Sequence, residues 1–160
     1  MWWLIPVIIV LLLAVPVIRA VMFRPDKTGR VIPGEEEFDG DKVTENLQKL
    51  VRCRTVSYRD GSLEDDAEFE KLISMLPELY PNVFSACKFK RFPDRGLLFC
   101  WKGRNPGEPA VLMAHYDVVP ANEEDRSVPA FDAVIKDGAV WGRGTLDTKV
   151  TFRGILFAAE

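Results

Sequence analysis

The 160-residue sequence predicts an α/β fold preceded by one membrane-spanning helix, on three observations. The chain opens on an uncharged apolar run, Met1 to Ile18. From about Asp41 onward, segments of helical periodicity alternate with short strand-like runs. Turn signals rich in Gly, Pro, Asn and Asp separate them, the pattern of helices packed on a sheet.

As a helix, the opening run would span roughly 27 Å, close to a hydrocarbon thickness of ~30 Å. Trp2 and Trp3 suit one membrane interface, and Arg19 and Arg24 suit the other. Pro6 and Pro16 weaken the helix but are tolerated in membrane segments. A cleaved signal peptide is the rival reading. It lacks a basic leading region, and Ile18-Arg19-Ala20 is a poor cleavage site. Residues 1–23 are therefore expected to form a single-pass anchor that makes the membrane a partner. Residues 24–40 follow as a linker, with Pro25, Gly29, Pro33, Gly34 and the solvated acidic run Glu35–Glu37.

Asp41 can cap a helix in which Val43, Leu47, Leu50 and Val51 recur at helical spacing. Phe69, Leu72, Ile73, Leu76 and Leu79 predict a second helix, which Pro77 should kink or end. Two strand-like runs, Val83–Phe92 and Leu97–Lys102, flank the turn Pro93-Asp94-Arg95-Gly96. Asn105-Pro106-Gly107 marks another turn. Ala110–Ala114 is wholly apolar, as expected of a strand buried on both faces. Lys136-Asp137-Gly138-Ala139 reads as a tight hairpin turn. From Thr148 the pattern turns helical, with Val150, Ile155, Phe157 and Ala158 apolar.

Net charge is −3, so no overall basic field supports nucleic-acid binding. Lys88, Lys90, Arg91 and Arg95 nearly alternate and fit the wet face of a strand. The cysteines Cys53, Cys87 and Cys100 have no metal-ligand spacing and read as small packing residues.

Two clusters carry chemistry. In His115-Tyr116-Asp117-Val118-Val119-Pro120, side chains two apart on a strand share a face, so His115 and Asp117 can meet. His115 is the only histidine. Its ring suits a metal, with a carboxylate orienting it, but a strand-ending histidine paired with an acid would look the same. The second cluster is Gly142-Arg143-Gly144-Thr145-Leu146-Asp147-Thr148-Lys149, where two glycines permit a tight loop before a helix. A helix cap alone would explain Asp147. The phosphate-loop spacing is missing, as are a nucleophile elbow and a second histidine for a triad.

Taken together, H-x-D-V-V-P from His115, the Pro129-Ala130-Phe131 segment, and D-G-x-x-W-G-R-G-T-x-D-x-K from Asp137 closely resemble one family. It comprises the zinc-dependent exopeptidases and deacylases that include aminoacylase, carboxypeptidase S, carboxypeptidase G and succinyl-diaminopimelate desuccinylase. The resemblance reaches back to Lys49-Leu50 and Arg54-Thr55-Val56-Ser57 and covers residues 41–160. It implies a zinc-exopeptidase-like catalytic domain with a mixed sheet flanked by helices. It also implies that His115 is a zinc ligand, that Asp117 is the catalytic-site carboxylate orienting it, and that Asp147 bridges two Zn2+ ions (Co2+ or Mn2+ would also suit such ligands). The implied substrate is a small peptide or an N-acyl amino acid, cleaved at an amide next to a free carboxylate. Arg126, Ala130 and Thr148 depart from the family pattern, but none stands at a ligand position.

In the family, a glutamate pair supplying the general base and a ligand comes further along than Glu160, with further ligands and a domain through which a homodimer would form. Residues 41–160 are therefore expected to be the opening part of a longer enzyme, inactive alone. Glu160 falls within the predicted final helix and is no substitute base. Two rival readings are a catalytically inactive, membrane-tethered binding module of the same fold, and a plain anchored α/β domain with coincidental motifs. The cations Arg19, Arg24, Lys27 and Arg30 would hold the domain on the cytoplasmic side. The family resemblance points the other way, and sidedness stays open.

Overall fold

A computed structural model describes residues 3–23, 37–104 and 107–160. The linker's residues 24–36 and the turn at Asn105-Pro106 lie outside them. Two compact units divide between Phe38 and Asp39.

In the first unit, helix α1 (Leu4–Met22) runs for 19 residues at a mean hydropathy of 2.8, with no residue buried. At the usual rise it is about 28 Å long, so it is long and apolar enough to cross a membrane. Pro16 lies inside it and Arg19 in its last turn.

The second unit begins with α2 (Gly40–Val51). Its cap is Asp39, whose carboxylate accepts the Lys42 N–H at 3.0 Å, so Asp41 moves into the first turn. Leu47, Leu50 and Val51 are buried, as their spacing requires. Helix α3 (Asp66–Leu79), capped by Asp65, buries Phe69, Leu72, Ile73, Leu76 and Leu79. Pro77 lies inside the helix, which ends two residues later at Leu79; lacking an N–H, it cannot make the usual bond to the carbonyl four residues back.

Helix α4 (Pro81–Ala86) replaces the first half of the strand expected at Val83–Phe92. Pro81 at its first position presets the helical φ, and Val83 drops into the core. Strand β1 is therefore only Lys88–Arg91. It pairs antiparallel with β2 (Leu97–Cys100), placing Phe89 opposite Phe99. Lys88 and Lys90 share one exposed face of β1, while Arg91, on the other face, is also exposed and pairs with Glu70. Asp94 and Arg95 in the turn both have positive φ, 60° and 66°. Arg95 forms ion pairs with Glu64 and Asp66 and lies over the Phe69 ring.

A second hairpin joins β3 (Val134–Lys136) to β4 (Ala139–Trp141) through Asp137 and Gly138. Both turn residues have positive φ, 53° and 73°, as a two-residue hairpin loop requires. Helix α5 (Val150–Ala159) closes the chain. Its buried residues are Phe152 and Leu156, while Ala158 is exposed. The main core gathers Leu50, Leu72, Leu76, Tyr80, Tyr116, Phe152 and Leu156.

The expected mixed sheet is not assembled among the described residues. They form two separate two-stranded sheets and one parallel bridge, Val56 to Val118. Ala110–Ala114 belongs to no strand, and Val111, Leu112 and Met113 are 74%, 74% and 81% exposed. An isolated extended segment leaves its backbone groups unpaired, and no described strand lies beside this one to take them.

Glu160 ends as a cap. Its carboxylate accepts the backbone N–H of Asn82 at 2.9 Å and of Val83 at 3.1 Å, at the start of α4. A carboxylate is favoured there by the helix dipole, and Glu160 is thereby tied up away from His115.

Candidate metal centre

The Arg54-Thr55-Val56-Ser57 segment is what sets the first cluster in place. Val118 N–H donates to Thr55 O at 2.8 Å, and Ser57 N–H donates to Val118 O at 2.9 Å. The buried Thr55 hydroxyl donates to Tyr116 O at 2.6 Å. Tyr116 and Val118 point into the interior, so His115 and Asp117 share the opposite face.

Two close approaches seat the second cluster, one against α2 and one against the first cluster. A Cβ on Gly142 would overlap Val51 Cγ1, and one on Gly144 would overlap Val118 Cγ1. Gly144 also has φ +81°, which an L side chain resists. The loop then makes one wide turn, Thr145–Lys149, closed by Lys149 N–H donating to Gly144 O at 2.9 Å. The Lys149 side chain is fully buried, and its ammonium donates to Leu50 O at 2.9 Å and Cys53 O at 2.7 Å. Leu50 O lies in the last turn of α2 and Cys53 O just beyond its C-cap Arg52, at the end of the helix where a cation is favoured. Burial still pulls the Lys149 pKa down to about 8. The Thr148 hydroxyl donates to His115 O at 2.8 Å, joining the two clusters directly.

All three predicted site residues converge. His115 Nδ1 lies 3.1 Å from Asp117 Oδ1 and 3.1 Å from Asp117 O. On the other side of the ring, Nε2 lies 3.3 Å from Asp147 Oδ1. Partial burial pulls the His115 pKa down, but the Asp117 hydrogen bond and the carboxylates of Asp117 and Asp147 outweigh it, and the net shift is upward. Asp147 is not a helix cap. It stands before α5 with extended φ and ψ, −119° and 95°, and its side chain is 86% exposed. These residues line a cavity of about 210 Å³ that Arg143, Gly144 and Leu146 complete.

A model of peptidase family M20/M25/M40 matches residues 111–160, the part of the chain that holds both clusters. The chain is also 37% identical over 132 residues to an uncharacterized carboxypeptidase of Schizosaccharomyces pombe, covering 78% of this chain and 22% of that protein. It is 35% identical over 123 residues to the N-fatty-acyl-amino acid synthase/hydrolase of Homo sapiens, covering 74% of this chain and 24% of that protein. Carboxypeptidase S of Saccharomyces cerevisiae is 35% identical over 116 residues, 66% of this chain and 20% of its own length. This chain belongs to the M20 peptidase family. It spans about a fifth to a quarter of the length of these relatives.

M20 peptidases are in general metal-dependent, and the chemistry of the residues here fits a divalent cation. Were Asp117 to hold the proton of His115 on Nδ1, the Nε2 lone pair would face the Asp147 carboxylate. Two electron-rich atoms facing each other call for a proton or a cation between them. Ligands at ordinary zinc bond lengths on one tetrahedral ion would stand about 3.4 Å apart, close to the 3.3 Å seen here. Among the described residues no cluster of three or more His, Cys, Asp or Glu that could hold a metal ion forms.

Sequence reasoning missed three contributors: Thr55, Lys149 and Thr148. Thr148 had been noted only as a departure from the family pattern, yet its hydroxyl is what clips Asp147's neighbour to His115. A lysine two residues beyond Asp147 carried no signal of burial by itself.

Proposed function

We propose that the whole protein is a membrane-tethered, metal-dependent hydrolase that cleaves an amide or peptide bond next to a free carboxylate. The observation that carries this reading is the convergence of His115 Nε2 on Asp147 Oδ1 at 3.3 Å, with Asp117 on the far side of the ring. The relatives' names support the bond class. A carboxypeptidase and an N-fatty-acyl-amino acid hydrolase both act on an amide whose neighbour is a carboxylate. Helix α1 is long and apolar enough for a membrane anchor, and the poor cleavage site at Ile18-Arg19-Ala20 favours one that stays uncleaved.

On this reading His115 and Asp147 hold zinc, and Asp147 is shared between two ions. Its exposure leaves the carboxylate open on the side away from His115, as a shared ligand needs. The bound metal would supply Lewis acidity and an activated water. Asp117 fixes the ring by accepting the Nδ1 proton, which keeps Nε2 aimed and basic. The exposed Leu146 and Val119 give the cavity mouth an apolar side suited to an acyl or side-chain group. Remaining ligands, the general base and a dimer contact would come from outside these residues.

The test is Asp147→Ala in the full-length protein, read by metal content and by hydrolysis of N-acyl amino acids. Zinc and activity are expected to fall together. Unchanged zinc content would sink the assignment. Asp117→Asn should keep the fold but weaken metal affinity on the order of 10- to 100-fold.

A further inference from the structure

Thr148 departs from the family pattern, yet its hydroxyl meets both backbone polar groups of His115. Its Oγ1 accepts the His115 N–H at 3.3 Å and donates to His115 O at 2.8 Å. A neighbouring strand would ordinarily satisfy these two groups. No other described residue bonds either of them. One side chain thus stands in for a strand partner at the residue that carries Nε2.

The rest of the turn is fixed to other places. Gly144 sits against Val118, and the Lys149 ammonium is held by Leu50 O and Cys53 O. Between them Thr145 bonds Gly142 O, and Leu146 is exposed. The Asp147 side chain is exposed as well, and the His115 ring is its one polar contact among the described residues. Only Thr148 fastens the backbone beside Asp147 to the backbone of His115 itself.

Two ligands on separate segments bind one ion well only if their separation is already held near the spacing the ion requires. Any freedom left between them is lost on binding and weakens it. We propose that Thr148 is a positioning residue, whose hydroxyl sets the spacing of His115 Nε2 and Asp147 Oδ1 and so preorganises the pair for a divalent cation. The proposal rests on the metal-dependent reading above for the identity of that cation.

The experiment uses the full-length protein, stripped with EDTA, as wild type, Thr148→Val, Thr148→Ser and Asp147→Ala. Zinc affinity is read by competition with a chromophoric chelator, and the visible spectrum after cobalt loading reports ligand geometry. Denaturant melts of the metal-free proteins report the fold. Valine keeps the shape of threonine and removes both hydrogen bonds, whereas serine keeps the hydroxyl. Thr148→Val is expected to lose on the order of 10- to 100-fold in zinc affinity, with an altered cobalt spectrum and a metal-free form that still melts cooperatively. Thr148→Ser should bind zinc as the wild type does. Wild-type zinc affinity in Thr148→Val overturns the proposal, and so does a serine variant as weak as the valine one. Should Thr148→Val not fold, the serine variant decides: wild-type affinity supports the hydroxyl's role, and a loss of about 10-fold or more overturns it. The hydrolase reading fails separately. If Thr148→Val weakens zinc in a protein whose wild type hydrolyses no N-acyl amino acid, the positioning role stands without that reaction. Zinc retained by Asp147→Ala defeats the metal assignment and the proposal with it.

Discussion

Leu72 and Leu76 in α3 are as apolar as Leu112 and Met113, yet the first pair is buried and the second is open to solvent. The difference lies in what each segment needs from its neighbours. A helix satisfies its own backbone and requires only an apolar face to rest on, which α3 finds in Leu50, Tyr80, Phe152 and Leu156. An extended segment must borrow its hydrogen bonds from adjacent strands. Val111–Met113 has none beside it in the described residues and stays unburied. Apolar composition therefore secures burial for helices within this segment but not for a central strand.

Lys149 ties the packed region to the site, so its loss should have the largest effect. Lys149→Ala strips the donor from two buried carbonyls, Leu50 O and Cys53 O. The expected cost is about 2–6 kcal/mol, from 1–3 for each orphaned acceptor. Denaturant melts would show it, and metal affinity should fall with it because Asp147 is two residues away.

Next comes the core itself. Leu76→Ala should cost about 2–5 kcal/mol. If it costs no more than Met113→Ala, the contrast between the two regions is wrong.

Tyr80 sharpens the comparison from inside the core, since its buried hydroxyl has no partner among the described residues. Tyr80→Phe should raise stability by about 1 kcal/mol near neutral pH. Burial pushes the Tyr80 pKa up to about 12 from 10. The folded state thus holds the proton more tightly, and its contribution is complete below pH 10 and lost as pH rises from 10 toward 12. The phenylalanine variant should lack that loss, which melts across pH 9–12 would reveal.

The smallest change in stability belongs to the open region. Met113→Ala should stay within about 0.5 kcal/mol. Solubility is where that region should speak: residues 41–160 are expected to self-associate through Val111–Met113, and Met113→Lys should reduce it in sedimentation runs. A monomeric wild-type segment with a sharp cooperative melt would contradict this.

Much of the site was legible in the chain, because its signals are local. His115 and Asp117 are two apart, and alternation alone puts them on one face. The loop glycines at 142 and 144 announced a close approach, although not to Val51 and Val118. The hairpin at Asp137-Gly138 followed from turn chemistry. Less legible were the events that depend on a distant partner. Val83 reads as a strand residue until Pro81 starts a helix over it, and Asp147 reads as a cap until the wide turn carries it to His115.

The sequence by itself determined the apolar first helix, the core faces of α2 and α3, the two hairpin turns, and the two candidate metal groups, His115 and Asp147, with Asp117 beside them. Periodicity and turn preference are properties of neighbouring residues, so no tertiary information was needed. Only the tertiary structure decided that Nε2 and Oδ1 meet at 3.3 Å, that Lys149 is buried against α2, and that Glu160 caps α4. Each is a contact between residues far apart in the chain, and its existence depends on how helices and loops pack, which local spacing does not encode.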